Sequence, residues 1–150
     1  MGLAQIGRLD AFVDVQEKHY RKLRDAISAV PGIRFRRVPE GGVENYSFLN
    51  FFLPDAGAAQ RAHKALAEAG LDGIFYWYDN NWHYYRRWEH LLGLKSLPKL
   101  PGELRERTMA ANRMSYPDSD RWMGRTLSVL IKLGWEAKEV DRRARLFREV

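Results

Sequence analysis

The feature that most constrains this sequence is an apolar seam running through its first thirty residues. Its members recur every three or four positions: Ile6, Leu9, Val13, Gln16, Tyr20, Leu23, Ile27 and Val30. This spacing predicts one long amphipathic helix over residues 1–31, ended by Pro31 and Gly32. Such a helix would extend about 45 Å at ~1.5 Å per residue, which is longer than a domain of this size needs. We therefore expect the seam to pack against something else as well, another domain or another subunit.

The rest of the composition indicates one soluble globular domain. The chain has 150 residues, of which 45% are hydrophobic and 29% charged, and it contains no cysteine. Disulfides, thiolate metal sites and a thiol nucleophile are thereby excluded. The longest uncharged apolar stretch, residues 46–54, is too short to cross a bilayer, and the N-terminus does not read as a signal peptide. The expected location is the cytoplasm.

Four short strands and two further helices are predicted after the seam. The strands are expected over residues 33–38, 46–53, 73–78 and 125–133, and the helices over residues 55–69 and from Trp135 to the end. Asp55 is the expected N-cap of the first helix and Gly70 its left-handed terminus. Val140, Ala144, Phe147 and Val150 are expected to line one side of the second helix. Strand 46–53 is apolar on both faces, which predicts cover on each side. The order indicates an α+β fold with helices packed on a small, mostly antiparallel sheet.

Residues 75–90 carry the best candidates for a binding site. Eight of these sixteen residues are aromatic, and they are interleaved with Asn80, Asn81, His83 and His90. Aromatic faces beside amide and imidazole edges suit sugars, bases or a planar cofactor. We expect Phe75 and Trp77 to belong to the core, and Asn80, Asn81 and His83 to face a ligand. His90 fits the surface equally well.

The sequence shows no recognisable catalytic machinery. His83 and His90 lack a third metal ligand, and His19 and His63 are expected at exposed helix positions. A phosphate-binding glycine loop, a serine nucleophile elbow and a paired-carboxylate signature are all absent. The net charge of +6 allows an alternative function, a free-standing basic module that binds nucleic acid without catalysis. Solvated faces are the favoured explanation of this charge.

Several local strings, taken in order, resemble the C-terminal part of the DegT/StrS-type sugar aminotransferases, which are pyridoxal-phosphate (PLP) enzymes of the aspartate-aminotransferase fold. They are MGLAQIGRLD at residues 1–10, AVPGI at 29–33, GLDGI at 70–74, YPDSDRWMGRTLS at 116–128 and Val140-Asp141. The resemblance covers the whole chain. It departs from the family in residues 79–90, where His83 is the counterpart of a family histidine. The branch that aminates an octulosonate, a keto-sugar acid, is the most similar.

The resemblance implies a domain organisation and a function. Residues 1–31 would be a connecting helix and residues 32–150 the small domain, and the large PLP-binding domain would be absent from this chain. The parent enzyme would be a homodimer that transfers an amino group from an amino-acid donor to a keto-sugar. His83, Asn80, Asn81 and Tyr84 would face the sugar. The seven lysines do not match the family's Schiff-base motif, so the chain alone is expected to bind no PLP and to be inactive.

Overall fold

The computed structural model describes residues 2–80, 82–95, 99 and 101–150. Its helices are α1 (Gly2–Ile6), α2 (Leu9–Ser28), α3 (Ala56–Glu68), α4 (Glu89–Leu92), α5 (Gly102–Asn112), α6 (Pro117–Gly124) and α7 (Ala137–Glu149). Its strands are β1 (Arg34–Phe35), β2 (Phe48–Phe52), β3 (Ile74–Tyr76) and β4 (Thr126–Leu130), and single 3₁₀ turns occupy Trp77–Asp79 and Tyr85–Arg87. The predicted α+β class is confirmed.

The four strands form one antiparallel sheet in the order β1-β2-β4-β3. The last strand in the sequence, β4, therefore lies in the interior and pairs with both β2 and β3. Asn50 of β2 and Phe75 of β3 both pair with Ser128 of β4, so these three residues form one row across the sheet. Because side chains alternate along a strand, the row projects from a single face.

One face of the sheet, called the closed face here, carries the core. Its strand residues pack with the apolar stripes of α2, α3 and α7; the buried set includes Leu23, Ile27, Leu49, Phe51, Ala59, Leu66, Leu127, Val129, Val140, Ala144 and Phe147. The predicted buried side of the last helix is confirmed at Val140, Ala144 and Phe147, whereas Val150 is exposed. Three helices on this face account for the burial of Leu49, Phe51, Leu127 and Val129.

The opposite face, called the open face, is only partly covered. Phe48 and Phe75 project from it and are each 42% exposed, with their ring centroids 6.2 Å apart. Farther along, Phe52 packs edge-on against Trp122 of α6. The prediction that strand 46–53 has cover on each side therefore holds at Phe52 and is wrong at Phe48, because no α-helix lies over Phe48 and Phe75 in the part of the chain that the structure describes.

The first helix is also shorter than predicted. Gly7 and Arg8 interrupt it and separate α1 from α2. Glycine is a poor helix former, which accounts for the break at this position. Only the second half of the seam packs on the core: Tyr20, Leu23 and Ile27 are buried, whereas the side chains of Ile6 and Leu9 are 68% and 54% exposed.

The ends of α3 are built as the sequence predicts. The Asp55 side chain accepts a hydrogen bond from the backbone N–H of Ala58 at 2.8 Å, and Gly70 adopts a left-handed φ of +79°. Helices α5 and α6 were not predicted. None of the α5 residues is buried, so α5 lacks the apolar stripe by which a helix is recognised in a sequence. No helix in the described ranges is long and apolar enough to span a membrane.

A buried arginine fastens α7 to the turn before β3. The side chain of Arg143 is 2% exposed and lies over the Trp135 ring, 4.2 Å from its centroid. It donates to the Asp72 carboxylate, to the Asp72 carbonyl at 2.8 Å and to Glu139 at 2.7 Å. Hydrogen bonds from Lys132 and then Arg143 lower the pKa of Asp72 to about 2. Those from Arg142 and then Arg143 lower the pKa of Glu139 to about 2.

Candidate functional site

The open face of the sheet forms the floor of a cavity of about 900 Å³. Its walls come from α3, from the segment before β2 and from the aromatic segment after β3. The residues used below are Arg36, Asn45, Phe48, Asn50, His63, Phe75, Trp77, Asn80, Trp82, His83 and Ser128. Ring faces and amide or imidazole groups therefore share one concave surface, a combination typical of sites for small polar molecules with a flat or cyclic skeleton.

A chain of hydrogen bonds crosses the cavity floor. The indole Nε1–H of Trp77 donates to Ser128 Oγ, and the Ser128 hydroxyl donates to Asn50 Oδ1. Ser128 is fully buried and Asn50 half-buried. A buried hydroxyl in a sheet carries a desolvation cost unless both its donor and its acceptor roles are used. The Trp77–Ser128–Asn50 chain, called the floor relay below, uses both.

The mouth of the cavity is shaped by a turn built on Asn80. Its Oδ1 accepts the backbone N–H groups of Trp82 at 2.8 Å and His83 at 3.2 Å. The His83 ring then lies 5.5 Å from the Trp77 ring, and Trp82 is 78% exposed. The side-chain oxygen of Asn80 is thus used by the turn, which holds the Trp82 and His83 rings at the entrance of the cavity.

Tyr84 supports this segment from below. Tyr84 is 1% exposed, and its hydroxyl donates to Asp120 Oδ1 of α6 at 2.5 Å. Tyr85 donates to the same oxygen at 3.1 Å, and Arg86 forms an ion pair with the same carboxylate. Three consecutive residues are therefore tied to one aspartate, which fixes the segment on α6.

The electrostatics of this support follow from its hydrogen bonds. Burial, and then the hydrogen bond to Asp120, raises the pKa of Tyr84 well above its usual range. Hydrogen bonds from Arg86, and then from Tyr84 and Tyr85, hold the pKa of Asp120 far below its usual value. Tyr84 is thus held as a neutral donor and Asp120 as an anion, so the pair is a fixed structural contact rather than a proton relay.

The predicted site residues have different places. Asn80 and His83 lie on the cavity wall, whereas Tyr84 is packed beneath the segment and is not among the residues that line the cavity. Asn81 lies outside the described residues. Phe75 and Trp77 were expected in the core, and this was wrong: Phe75 is half-exposed and both rings line the cavity. His90 is exposed beside Glu89, in a separate shallow depression.

Other residues of the site were missed in the sequence. His63 was expected to be exposed, but it is half-buried on α3 and its ring lies 6.1 Å from that of Tyr76. Its spacing from buried Ala59 and Leu66, four and three residues, places it on the inner side of the helix, and this signal was available. His19 is likewise half-buried and packs against Trp135. Arg36, Asn50 and Ser128 come together only through the sheet pairing.

The cavity suits recognition by hydrogen bonds and ring contacts. Arg36 lies at its edge, where one guanidinium nitrogen donates to Glu44 at 2.6 Å. No other hydrogen bond from this guanidinium is found among the described residues, which leaves donors for a ligand. Among the described residues no lysine lines the cavity, and no group of three or more His, Asp or Glu side chains could hold a metal ion.

The whole fold matches one part of larger enzymes of known structure. The sequence matches no family model. The aminotransferase TlmJ from Streptoalloteichus hindustanus superposes with a TM-score of 0.69 at 19% identity, covering 99% of this chain and 34% of that one. The 3-amino-5-hydroxybenzoic acid (AHBA) synthase superposes with a TM-score of 0.61 at 17% identity, covering 97% and 36%. The chain thus spans about a third of the length of each enzyme, and its fold is that of this part of an aminotransferase.

Proposed function

We propose that this chain is the small domain of a PLP-dependent aminotransferase that transfers an amino group from an amino acid to a keto-sugar or keto-sugar acid. The observation that carries the proposal is the superposition of 99% of the chain on one part of an aminotransferase. The DegT/StrS resemblance of the sequence supports the sugar substrate, and its octulosonate-aminating branch supports an acid. The proposal includes a homodimeric parent enzyme in the cytoplasm.

The distribution of apolar surface supports a second domain in the parent enzyme. The N-terminal half of the seam is exposed at Ile6 and Leu9, and the neighbouring Leu3 of α1 is exposed as well. The open face of the sheet exposes Phe48 and Phe75 around a cavity. A small domain that closes over a substrate needs both features, a connecting helix that packs elsewhere and a concave face toward the substrate.

Among the described residues, the lysines do not fit a PLP site in the cavity. PLP carries the migrating amino group and is held by a lysine that forms a Schiff base. Four of the described lysines are paired with carboxylates: Lys22 with Asp141, Lys64 with Glu68, Lys132 with Asp72 and Lys138 with Glu136. No described lysine lines the cavity. We therefore propose that PLP is held outside residues 1–150 and that these residues alone do not transaminate.

Within the chain, the proposed contacts to the sugar are His83, Asn80 and Asn81, with Tyr84 as their support. The His83 ring and the rings of Trp77 and Trp82 offer a surface on which a sugar ring packs, and the imidazole offers a hydrogen bond. Asn80 positions His83 through its turn. Tyr84 acts through Asp120 by holding the segment in place.

The test uses the full product of the native gene, that is, of the open reading frame that contains residues 1–150. PLP absorbance and amino transfer from an amino acid to a keto-sugar are measured for the wild type and for His83→Ala. We expect the wild type to bind PLP and to transaminate. His83→Ala should raise KM for the sugar about ten-fold, because the variant loses one hydrogen bond to the sugar and the ring contact beside it.

His90→Ala is the matched control, because His90 is an exposed histidine of the same segment outside the cavity. A wild type without PLP and without amino transfer contradicts the proposed function. Equal KM values for His83→Ala and the wild type contradict the role of His83 alone.

The nucleic-acid alternative is not favoured. The superposed structures are an aminotransferase and a synthase, and many of the arginines form ion pairs; the paired ones include Arg21, Arg36, Arg86, Arg87, Arg121, Arg142, Arg143 and Arg145. Arginines whose charge is balanced within the chain offer less to a phosphate backbone than the net charge suggests.

A further inference from the structure

The floor relay fixes which end of the Asn50 amide faces the cavity. An indole N–H can only donate, so Ser128 Oγ accepts from Trp77 and the Ser128 hydroxyl proton must find an acceptor elsewhere. The acceptor is Asn50 Oδ1. Since the amide is planar, fixing its oxygen on Ser128 directs the NH₂ group away from Ser128.

The amide lies where a ligand on the open face would touch it. Asn50, Ser128 and Phe75 form the row that crosses the floor, and Phe48 flanks Asn50 on the same face of β2. The exposed Phe48 ring beside Asn50 and the exposed Phe75 ring at the end of the row give this floor an apolar character around the polar side chains of Asn50 and Ser128. An NH₂ group in such surroundings discriminates strongly between ligands. It stabilises a bound ligand that presents an oxygen acceptor, and a ligand that leaves the group unpaired binds more weakly.

We propose that Asn50 is a specificity-determining residue of the cavity, whose NH₂ group, oriented by Ser128 and Trp77, donates to a carbonyl or carboxylate oxygen of the ligand. Arg36 at the edge of the cavity, although paired with Glu44, adds guanidinium donors to the same surface. The ligand class is therefore a compact oxygen-rich acid or ketone with a cyclic or extended carbon skeleton. This inference deepens the proposed function, on which its keto-sugar ligand rests.

The main test compares two isosteric substitutions of asparagine in the native gene product. Asn50→Asp keeps an oxygen for Ser128 and replaces the NH₂ donor with a second oxygen. Asn45→Asp makes the same chemical and charge change at the edge of the same cavity, where Asn45 Oδ1 accepts from Ser47 N at 3.1 Å and Ser47 Oγ at 2.8 Å. The difference between the two variants therefore isolates the donor from the added charge.

The probe is 2-keto-D-gluconate, a keto-sugar acid, and its Kd is measured by isothermal titration calorimetry. We expect Asn50→Asp to weaken binding at least ten-fold more than Asn45→Asp does, because a donor to a charged or carbonyl oxygen is replaced by an acceptor. D-Sorbitol, which has hydroxyl groups but neither carbonyl nor carboxylate, should show no such difference. Equal losses in the two variants, or a wild type that does not bind 2-keto-D-gluconate, overturn the inference.

A second variant tests the relay without touching the amide. Trp77→Phe keeps a ring on the cavity wall and removes the Nε1–H, so Ser128 no longer has a fixed polarity and the Asn50 amide can turn over. We expect a three- to ten-fold weaker affinity for 2-keto-D-gluconate, measured well below the melting temperature, which falls slightly because buried Ser128 loses a hydrogen-bond donor. An affinity equal to that of the wild type means that the relay does not orient Asn50, and overturns that part of the inference.

The outcomes separate this inference from the proposed function. Amino transfer by the wild type with an unchanged KM for the keto-sugar in Asn50→Asp contradicts the inference and leaves the function standing. Absence of PLP and of amino transfer, combined with the expected difference between Asn50→Asp and Asn45→Asp, contradicts the function and supports the inference.

Discussion

The closed and open faces of the sheet are built from alternate residues of the same strands, yet one face forms the core and the other the floor of a cavity. On the closed face Leu49, Leu127 and Val129 are completely buried by helices, whereas on the open face Phe48 and Phe75 remain 42% exposed around a cavity. Both sets are apolar in the sequence. The comparison shows that apolar character alone does not separate a core residue from a residue that contacts a ligand. The helices that pack on one face make that distinction.

The largest effect is expected on the closed face. Leu127→Ala leaves a cavity between the sheet and the helices, and we expect it to lower the free energy of unfolding by about 2–5 kcal/mol. Urea denaturation gives this quantity. Leu104→Ala on α5 is the matched control, because Leu104 is 48% exposed, and it should change stability by at most about 0.5 kcal/mol. Equal losses for the two leucines would contradict the division into a core and an uncovered surface.

The next effect concerns the contact that holds the aromatic segment to α6. Asp120→Asn removes the carboxylate charge, and this carboxylate accepts hydrogen bonds from Tyr84, Tyr85 and Arg86. We expect the free energy of unfolding to fall by about 1–3 kcal/mol. Asp118→Asn in the same helix is the control, since the Asp118 side chain is 85% exposed and, among the described residues, pairs at the surface with Arg121 alone. A variant Asp120→Asn as stable as Asp118→Asn would show that the segment is held by other contacts.

More residues of the core than of the candidate site could be predicted from the sequence. The heptad seam identifies Tyr20, Leu23 and Ile27, and helical spacing identifies Val140, Ala144 and Phe147, because both signals are local in the sequence. Asn80 and His83 were likewise found from a local cluster of aromatic and polar residues.

The remaining site residues depend on pairing across the sheet. Asn50 and Ser128 are seventy-eight positions apart and meet because β4 inserts between β2 and β3, which no local pattern indicates. The false assignment of Phe75 to the core has the same origin, since a strand's alternation identifies two faces without saying which one the helices cover. The break at Gly7 and Arg8 was missed because the seam continues through it.

A smaller, pH-dependent effect is expected from the network around Arg143. Asp72 and Glu139 have pKa values lowered to about 2, against unperturbed values of about 3.9 and 4.3. Their stabilising effect is therefore fully present above about pH 4.5 and is lost as the pH falls toward 2. We expect the free energy of unfolding to decline over this range. In Asp72→Asn this decline should be shallower than in the wild type; an equal slope contradicts the contribution of Asp72.

The smallest effect on stability, and the sharpest test of the comparison, is expected at Phe75. Phe75→Ala on the open face should lower the free energy of unfolding by about 1 kcal/mol or less, whereas Phe51→Ala on the closed face should lower it by about 3–5 kcal/mol. The affinity of Phe75→Ala for 2-keto-D-gluconate should fall. A loss of stability at Phe75 as large as that at Phe51 would mean that the open face is a second core.

The central position of β4 has a consequence for the order in which the molecule assembles. Strands β2 and β3 do not pair with each other, and both pair with β4, the last of these four strands to leave the ribosome. Until residue 130 emerges, both strands present unpaired backbone groups, and Leu49 and Phe51 lack their covering residues. Such exposed edges and apolar side chains are what drives nascent chains to aggregate. Aggregation is therefore most favoured in the interval before β4 emerges.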